Sequence, residues 1–194
     1  MRRIYLSMIA VLMAMAMLCA CALKQERSVS FIERVSVKLT YQDGTCSGTI
    51  IGPQAILTAA HCHEVGNPLK LDGRYVTVID SVQDGKDHII YRVTERFPVW
   101  ASVGPKPKLG DKARLLGNPR VLERIYREGT YSGQYDGRDI WDLNTWFGDS
   151  GAGIFNDQGE VVAVMSQAFA EGPFSVAGSF PMEFKPDDWA RVTK

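Results

Sequence analysis

The sequence predicts an all-β fold, and three of its features support that prediction. Short segments in which apolar and polar residues alternate recur along the chain, as in Val35-Ser36-Val37-Lys38-Leu39. Turn pairs such as Asp43-Gly44, Asp72-Gly73 and Asp84-Gly85 separate these segments at the spacing typical of a β-sandwich or barrel. No long amphipathic helical pattern competes with the strand pattern.

The predicted elements divide into two halves. Strands in the first half are predicted at residues 35–41, 46–51, 55–58, 75–79 and 87–93. Prolines and glycines in residues 104–111 cannot hold a ladder of hydrogen bonds, so this stretch is predicted to connect the halves. The second half is predicted to contain a strand at 113–116, a hairpin-like stretch at 121–135 and strands at 139–143, 153–155 and 160–167. Residues 185–192 begin like a short capped helix.

Length, composition and charge limit the possible functions. The chain has 194 residues, of which 45% are hydrophobic, enough for one proper core but short for two large domains. Lys plus Arg and Asp plus Glu number 22 each, so no net field recruits nucleic acid or an anionic membrane surface. We expect a monomer that has no nucleic-acid partner.

The first residues have the pattern of an export signal. Met1-Arg2-Arg3 is positive, and residues 4–23 are apolar and uncharged, as in a secretory signal peptide. Leu18-Cys19-Ala20-Cys21 resembles the bacterial lipobox, which implies a signal peptide at 1–21 and lipidation of Cys21. An ordinary cleaved signal and an uncleaved transmembrane anchor are the alternatives. With a polar tether at 22–30, the protein is expected in the cell envelope, lipid-anchored at a membrane and facing the periplasm or exterior.

Export affects how the remaining cysteines are interpreted. Cys46 and Cys62 form an even pair in an oxidising compartment, so a disulfide is expected, with a stabilisation of about 3 kcal/mol in the chain-entropy model. A zinc site built from these cysteines with His61 and His63 is the rival interpretation. Adjacent residues cannot all face one metal without strain, so we expect neither a metal nor a cofactor.

A glycine-rich loop near the end of the chain has the chemistry of acyl transfer. In Phe147-Gly148-Asp149-Ser150-Gly151-Ala152-Gly153 a serine stands between glycines. The glycines permit backbone conformations in which the N–H groups of Gly148 and Ser150 point into one small hole. A serine hydroxyl becomes a nucleophile when a base takes its proton, and the oxyanion that forms needs such preorganised donors. Loops of this composition are also common in ordinary turns.

A second motif upstream supplies a candidate base. Leu57-Thr58-Ala59-Ala60-His61-Cys62 and Gly148-Asp149-Ser150-Gly151, in this order and with Cys46 in place, resemble the chymotrypsin/trypsin-like serine proteases. The resemblance covers residue 31 to the C-terminus. It implies two six-stranded antiparallel β-barrels, residues 31–103 and 112–194, with the site in the cleft between them and a short C-terminal helix outside.

The resemblance also assigns roles to residues. It implies that Ser150 is the nucleophile, His61 the base and Asp87 the carboxylate that orients His61, with Gly148 and Ser150 forming the oxyanion hole. Asp84 and Asp80 are the rival carboxylates, and Asp87 could instead cap a turn. A buried structural histidine is the alternative for position 61. The expected environment of His63 and His88 is solvent.

Two departures from the family pattern matter. Ala152 replaces the glycine that usually follows Gly-Asp-Ser-Gly, from which we expect altered packing without loss of activity. No stretch resembles the activation sequence Arg-Ile-Val-Gly-Gly. Asp149 is therefore expected not to wait for a newly cut N-terminus, and the protein is expected to be active once it is folded and exported.

Specificity is predicted only in outline. Alignment from Ser150 places Asn144 near the bottom of the pocket for the residue before the scissile bond, and a neutral amide there argues against strict Arg/Lys preference. Ser166-Gln167-Ala168 resembles the edge that pairs with the substrate backbone, and Gly178 the pocket wall, with Ala168 narrowing its entrance. Ordinary strand packing is the alternative for all of these residues.

The function that the sequence predicts is that of an exported serine endopeptidase. It would hydrolyse polypeptide substrates through a Ser-His-Asp triad and an acyl-enzyme intermediate. The alternative is a catalytically silent peptide-binding surface lipoprotein on a protease fold. A purely structural lipoprotein is a third possibility, which would leave the serine loop unexplained.

Overall fold

The computed structural model of the protein describes residues 13–17, 19, 26, 28–120, 122–171 and 174–192. Cys21 and most of the predicted leader lie outside these residues, so the expected lipidation site stays a prediction. Among the described helices, none combines the length and the apolar character needed to cross a bilayer.

The first half of the chain forms one antiparallel sheet that curls into a half-barrel. Its strand order is β5-β4-β1-β2-β3-β7-β6. The bounds are β1 Ser36–Thr40, β2 Thr45–Gly52, β3 Ala55–Ala59, β4 Lys70–Leu71, β5 Arg74–Tyr75, β6 Val78–Gln83 and β7 His88–Val93. A 3-10 helix, Ala60–Val65, follows β3 directly and carries His61.

The second half forms a matching half-barrel. Its strand order is β12-β11-β8-β9-β10-β14-β13, which places β13 at an edge. The bounds are β8 Lys112–Gly117, β9 Ile125–Tyr135, β10 Arg138–Trp141, β11 Gly153–Phe155, β12 Val161–Val164, β13 Gln167–Glu171 and β14 Phe174–Ser179. The predicted hairpin-like stretch at 121–135 is wrong, because one strand of 11 residues, β9, occupies most of it.

The all-β prediction with two antiparallel barrels is confirmed, but each sheet has seven strands where six were expected. In the first sheet the predicted turn at Asp72-Gly73 makes a hairpin of two strands of only two residues each. Both turn residues have positive φ, 46° and 79°, as a tight hairpin loop between twisted strands requires. The short hairpin therefore adds strands without adding another layer to the fold.

Two helices pack on the outside of the sheets. Residues 28–35, which we call α1, are helical and place Ile32 and Val35 in the core of the first barrel. The predicted C-terminal helix is confirmed as α2, Pro186–Val192. The Arg191 side chain pairs with Asp80 on β6 at 3.1 Å, and Val192 is buried, so α2 closes one side of the first barrel.

Each half-barrel has its own apolar cluster, and the first continues into the second. Trp141, Leu143 and Ile154 are buried in the second cluster. Leu116 and Phe155 belong to the second half by sequence but are buried with the residues of the first cluster. This shared burial fixes the two barrels against each other, and the loops that meet along their boundary form the site described next.

Candidate active site

The loop that follows β10 contains Gly148-Asp149-Ser150-Gly151, and we call it the serine loop. Its backbone N–H groups are of two kinds, those that donate to a carbonyl and those that have no acceptor among the described residues. The N–H of Asp149 donates to the Trp146 carbonyl and that of Gly151 to the Met165 carbonyl, at 3.0 and 2.7 Å. Within the described part of the chain, the N–H groups of Gly148 and Ser150 have no acceptor. Gly148 has a φ of 97°, which a side chain would strain. The two N–H donors that the sequence predicted for the oxyanion hole are therefore not used in hydrogen bonds within the described residues.

Ser47 on β2 ties the serine loop to the first barrel. Its N–H donates to the Ser150 carbonyl at 2.7 Å, and its hydroxyl donates to the Gly148 carbonyl at 2.9 Å. The same hydroxyl accepts from the N–H of Asn118 at 3.0 Å. Ser47 is completely buried, so these bonds are shielded from water. Because the Gly148 and Ser150 carbonyls are held toward β2, the peptide plane that follows each of these two residues is fixed.

The end of β3 lies against the other side of the loop. The Thr58 hydroxyl donates to the Ser47 carbonyl at 2.7 Å. A Cβ added to Gly151 would come within 2.0 Å of that hydroxyl and 3.0 Å of the Ala59 nitrogen. Only glycine permits this approach, and it brings the serine loop against the strand that leads into His61.

His61 and Asp87 form a hydrogen-bonded pair. Nδ1 of His61 lies 2.9 Å from Oδ2 and 3.1 Å from Oδ1 of Asp87, and the His61 backbone N–H donates to Oδ1 at 2.9 Å. The Ala60 N–H donates to the Asp87 carbonyl, which joins the 3-10 helix to the turn before β7. The His61 side chain is 39% exposed, whereas that of Asp87 is only 16% exposed.

Contacts within this pair shift both ionisations. The hydrogen bond from His61 to Asp87 raises the pKa of the imidazole and outweighs the opposite effect of burial. Burial alone would raise the pKa of Asp87, but hydrogen bonds from the ring and backbone of His61 and from the Ser166 hydroxyl keep it below its ordinary value. The carboxylate is thus charged at neutral pH and favours a protonated partner.

Nε2 of His61 and the Ser150 hydroxyl are both available for chemistry. Neither has a hydrogen-bond partner among the residues that the structure describes. The bond between the two groups is not formed here. Such bonds often form or tighten only when substrate is bound.

The rival carboxylates are engaged elsewhere. Asp84 and His88 form a completely buried pair, with Oδ2 and Nδ1 2.6 Å apart. Burial would raise the pKa of Asp84, but the hydrogen bond to His88 and backbone N–H donors outweigh it and lower the pKa. Asp80 pairs with Arg191. The expectation that His88 faces solvent is wrong, because both faces of β7 are covered; His63 is half-buried beside Tyr91, 3.1 Å from its hydroxyl.

Asp149, directly before the serine, has an internal counter-ion. Its carboxylate is completely buried, and Nη1 of Arg127 on β9 lies 3.1 Å from Oδ1. Oδ2 accepts from the Trp146 N–H at 2.8 Å. Burial raises the pKa of Asp149 and these two donors counteract it only in part. The arrangement supplies from within the chain a cation that could hold the loop.

The residues predicted to recognise substrate lie around the same loop. Gln167 and Ala168 are exposed on the edge strand β13, while Ser166 is buried beside Asp87. Gly178 is covered by the Phe169 ring, 2.6 Å from the position of an added Cβ. Asn144 is exposed. Its neighbour Thr145 is completely buried, and the Thr145 hydroxyl has no hydrogen-bond partner among the described residues. Thr145 therefore lies deeper than the residue that sequence alignment selected.

The expected disulfide is confirmed. Cys46 and Cys62 are bonded, and the bridge joins β2 to the 3-10 helix that carries His61. This bond removes the two sulfurs from any zinc site. Across the described residues, no cluster of three or more His, Cys, Asp or Glu side chains is arranged to hold a metal.

Sequence reasoning missed Ser47 and Arg127. Ser47 stood directly after a cysteine of interest and is, like Thr49, a buried polar residue of β2, a weak signal that a polar partner lies opposite. Arg127 lies in the stretch predicted to be hairpin-like and has other polar residues around it, so no sequence signal marked it. Their partners are 101 and 22 residues away, a separation at which no local pattern can indicate a contact.

Two antiparallel half-barrels with this loop at their boundary define a chymotrypsin-like fold. The sequence profile of the trypsin-like peptidase domain matches residues 46–164, more than half of the chain. The protein therefore belongs to the trypsin-like peptidase family.

The solved structures that are similar to this chain include a Glu endopeptidase and Rv3671c. A Glu endopeptidase in complex with MPD has a TM-score of 0.62 and 13% identity over 81% of this chain and 87% of that one. Rv3671c from M. tuberculosis H37Rv, as the inactive form of a serine-to-alanine mutant, has a TM-score of 0.65 and 19% identity over 88% and 92%. Identities this low show a shared fold. No curated protein sequence matches the chain significantly.

Proposed function

We propose that the protein is a serine endopeptidase that hydrolyses peptide bonds through Ser150, His61 and Asp87. The observation that carries the proposal is the His61–Asp87 pair at the boundary where Ser47 and Thr58 hold the serine loop. The family supports a hydrolase of the protease type. A paired imidazole and a partly exposed serine are elements that acyl transfer requires.

In the proposed mechanism, the Ser150 oxygen attacks the carbonyl carbon and its proton passes to Nε2 of His61. Asp87 holds the Nδ1 proton and stabilises the imidazolium. The carbonyl oxygen, now negative, accepts from the free N–H groups of Gly148 and Ser150. Collapse breaks the C–N bond, and His61 gives its proton to the leaving amine.

The acyl-enzyme is then hydrolysed, with water as the nucleophile and the Ser150 oxygen as the leaving group. Water attacks the ester carbon while His61 takes its proton, and the same two N–H groups stabilise the second oxyanion. His61 returns the proton to the Ser150 oxygen as the acid product leaves. Because Arg127 already neutralises Asp149, the loop needs no newly cut N-terminus, so the enzyme is active once folded.

The substrate is proposed to be an extended polypeptide. Among the strands that the structure describes, β13 has a neighbour on one side only, so the N–H and C=O groups of its other side can pair with a peptide in β conformation. The exposed residues Gln167 and Ala168 at its start would make that contact. No acidic group among Asn144, Thr145 and Gly178 favours an Arg or Lys side chain, in agreement with a preference that is not strictly basic.

Covalent labelling of the full-length protein with a fluorophosphonate tests this function. We expect the wild type to be labelled, Ser150→Ala to lose the label completely, and Ser132→Ala, an exposed serine on β9, to keep it. Peptides from a mixed library should be cut only by the proteins that label. Failure of a folded wild type to label, or labelling that persists in Ser150→Ala, would overturn the proposal.

We also propose that the protein is exported and anchored by a lipid on Cys21. The signal-like leader and a disulfide, which persists in oxidising compartments, support this location. Cys21→Ser should move the protein from the membrane to the soluble fraction, while Cys19→Ser, a matched change in the leader, should not. Retention of Cys21→Ser in the membrane would favour an uncleaved helical anchor.

A further inference from the structure

An exposed cation stacked on two aromatic rings lies beside the serine loop. The guanidinium carbon of Arg120 is 5.5 Å from the ring centroid of Trp146 and 5.7 Å from that of Phe147. The two rings meet edge to face, with centroids 6.0 Å apart. Trp146 is 43% exposed and Phe147 72% exposed. We call these three residues the Arg120 platform.

Backbone contacts fix the platform to the oxyanion donors. The Arg120 N–H donates to the Phe147 carbonyl at 2.7 Å. A Cβ added to Gly148 would come within 2.8 Å of the Arg120 nitrogen. The platform therefore immediately precedes and packs against the residue whose N–H is proposed to bind the oxyanion, and a substrate at Ser150 would pass next to it.

Two features of the platform are unfavourable for folding alone. Arg120 has a φ of 46°, in the left-handed region where glycine or asparagine would be less strained. Phe147 leaves most of a large apolar ring in water next to another exposed aromatic ring. Strain and exposed apolar surface at one place are typical of a functional surface.

The charge of Arg120 has no counter-ion in the described part of the chain. Among the residues that the structure describes, no carboxylate forms an ion pair with its guanidinium. A guanidinium held against aromatic rings has fewer conformations, and its N–H donors lie at the edge of its plane. A planar fork of donors held in this way matches a carboxylate, which it can bind through two parallel hydrogen bonds.

We propose that the Arg120 platform binds an acidic side chain of the polypeptide substrate, close to the scissile bond. The guanidinium would pair with the carboxylate, and the two rings would cover the aliphatic part of the same side chain or of its neighbour. This inference names a substrate class for the proposed peptidase and rests on that function, because it assumes that peptides bind at the Ser150 loop.

Peptide binding to the full-length Ser150→Ala protein tests the platform without turnover. The probes are fluorescein-labelled peptides of one uncharged sequence, with Glu or Gln placed singly at each of six consecutive positions. We expect the Glu peptide to bind about tenfold more tightly than its Gln partner at one position, the order expected for a charge-assisted pair.

Three changes in the Ser150→Ala background show whether Arg120 causes the preference. Arg120→Glu should reverse it, and Arg120→Gly should abolish it without backbone strain, because glycine accepts a positive φ. Arg74→Glu makes the same change of net charge at an exposed site on β5 and should leave the preference intact. Equal or undetectable binding of Glu and Gln peptides at every position, or a preference that survives Arg120→Gly, overturns the inference.

Cleavage assays on the protein with Ser150 intact distinguish failure of the platform proposal from failure of the proposed peptidase function. If the wild type cuts Glu and Gln peptides equally well, it is a peptidase and the platform proposal fails. If the wild type neither cuts nor labels, yet the Ser150→Ala protein shows an Arg120-dependent preference for Glu, the platform is a peptide-binding site and the proposed catalysis fails.

Discussion

Asp87→Asn is expected to lower kcat/KM for peptide cleavage by about 10⁴-fold, the size of effect seen when the orienting carboxylate of such a triad becomes an amide. An asparagine oxygen can still accept from the His61 backbone N–H, so the turn before β7 keeps its shape. The amide carries no charge to stabilise the imidazolium, and it can favour the wrong tautomer of the ring. Steady-state kinetics of the folded variant measure the loss.

Asp84→Asn is the matched control for this change. Asp84 lies three residues earlier, is also buried, and also holds a histidine, but its partner is His88 and not His61. We expect it to lower the free energy of unfolding while kcat/KM of the folded fraction stays within about tenfold of wild type. A loss of 10⁴-fold in folded Asp84→Asn, with little change in Asp87→Asn, would transfer the catalytic role to Asp84.

The pH profile gives a second readout of the same pair. The base must be neutral to accept the Ser150 proton, so kcat/KM rises as His61 loses its proton. Asp87 raises the pKa of His61, so the half-maximal pH of the wild type should lie above the ordinary imidazole value of 6.5. Asparagine has no charge to stabilise the imidazolium, so the pKa of His61 should be lower in Asp87→Asn. The residual activity of this variant should therefore rise at a lower pH than the activity of the wild type. Identical midpoints in the two proteins would contradict the assigned contact.

Much of the fold could be predicted because its signals are local. The alternation in Val35 to Tyr41 and the turn pair Asp72-Gly73 depend on residues within a few positions of one another. The predicted solvent exposure of His88 is wrong because both faces of β7 are covered. β7 alternates too little to show which side is buried, and the burial of His88 depends on Asp84 and on the C-terminal segment at Phe184, with ring centroids 6.3 Å apart.

The sequence predicted the reacting side chains of the candidate site but not the residues that hold them in place. His61, Asp87 and Ser150 stand in recognisable motifs, and the structure places His61 against Asp87. Ser47 and Arg127 stand in no motif, since what they contribute exists only when the two barrels meet or when β9 crosses the serine loop. Their importance follows from burial and hydrogen bonding, which depend on tertiary contacts.

Arg127→Met is expected to destabilise the protein by about 3–5 kcal/mol, because it leaves the Asp149 carboxylate buried without its cation. The side chains are 17% and 0% exposed, so water cannot replace the guanidinium. Methionine keeps most of the volume, which limits the effect of packing. Asp149 would have to be protonated or turn outward, and either change moves the N–H groups next to Ser150. Urea unfolding measures the first effect, and the rate of fluorophosphonate labelling measures the second.

Two further variants separate the buried charge from other causes. Arg191→Met removes a partner of Asp80 from an exposed pair and should change the free energy of unfolding by less than about 1 kcal/mol. Arg127→Met combined with Asp149→Asn removes both charges, so it should recover most of the stability even if Arg127→Met alone does not fold. If the double variant is no more stable than Arg127→Met, the loss comes from packing on β9. If Arg127→Met unfolds and labels like the wild type, the serine loop does not depend on this counter-ion, and some other contact must hold Asp149 in place.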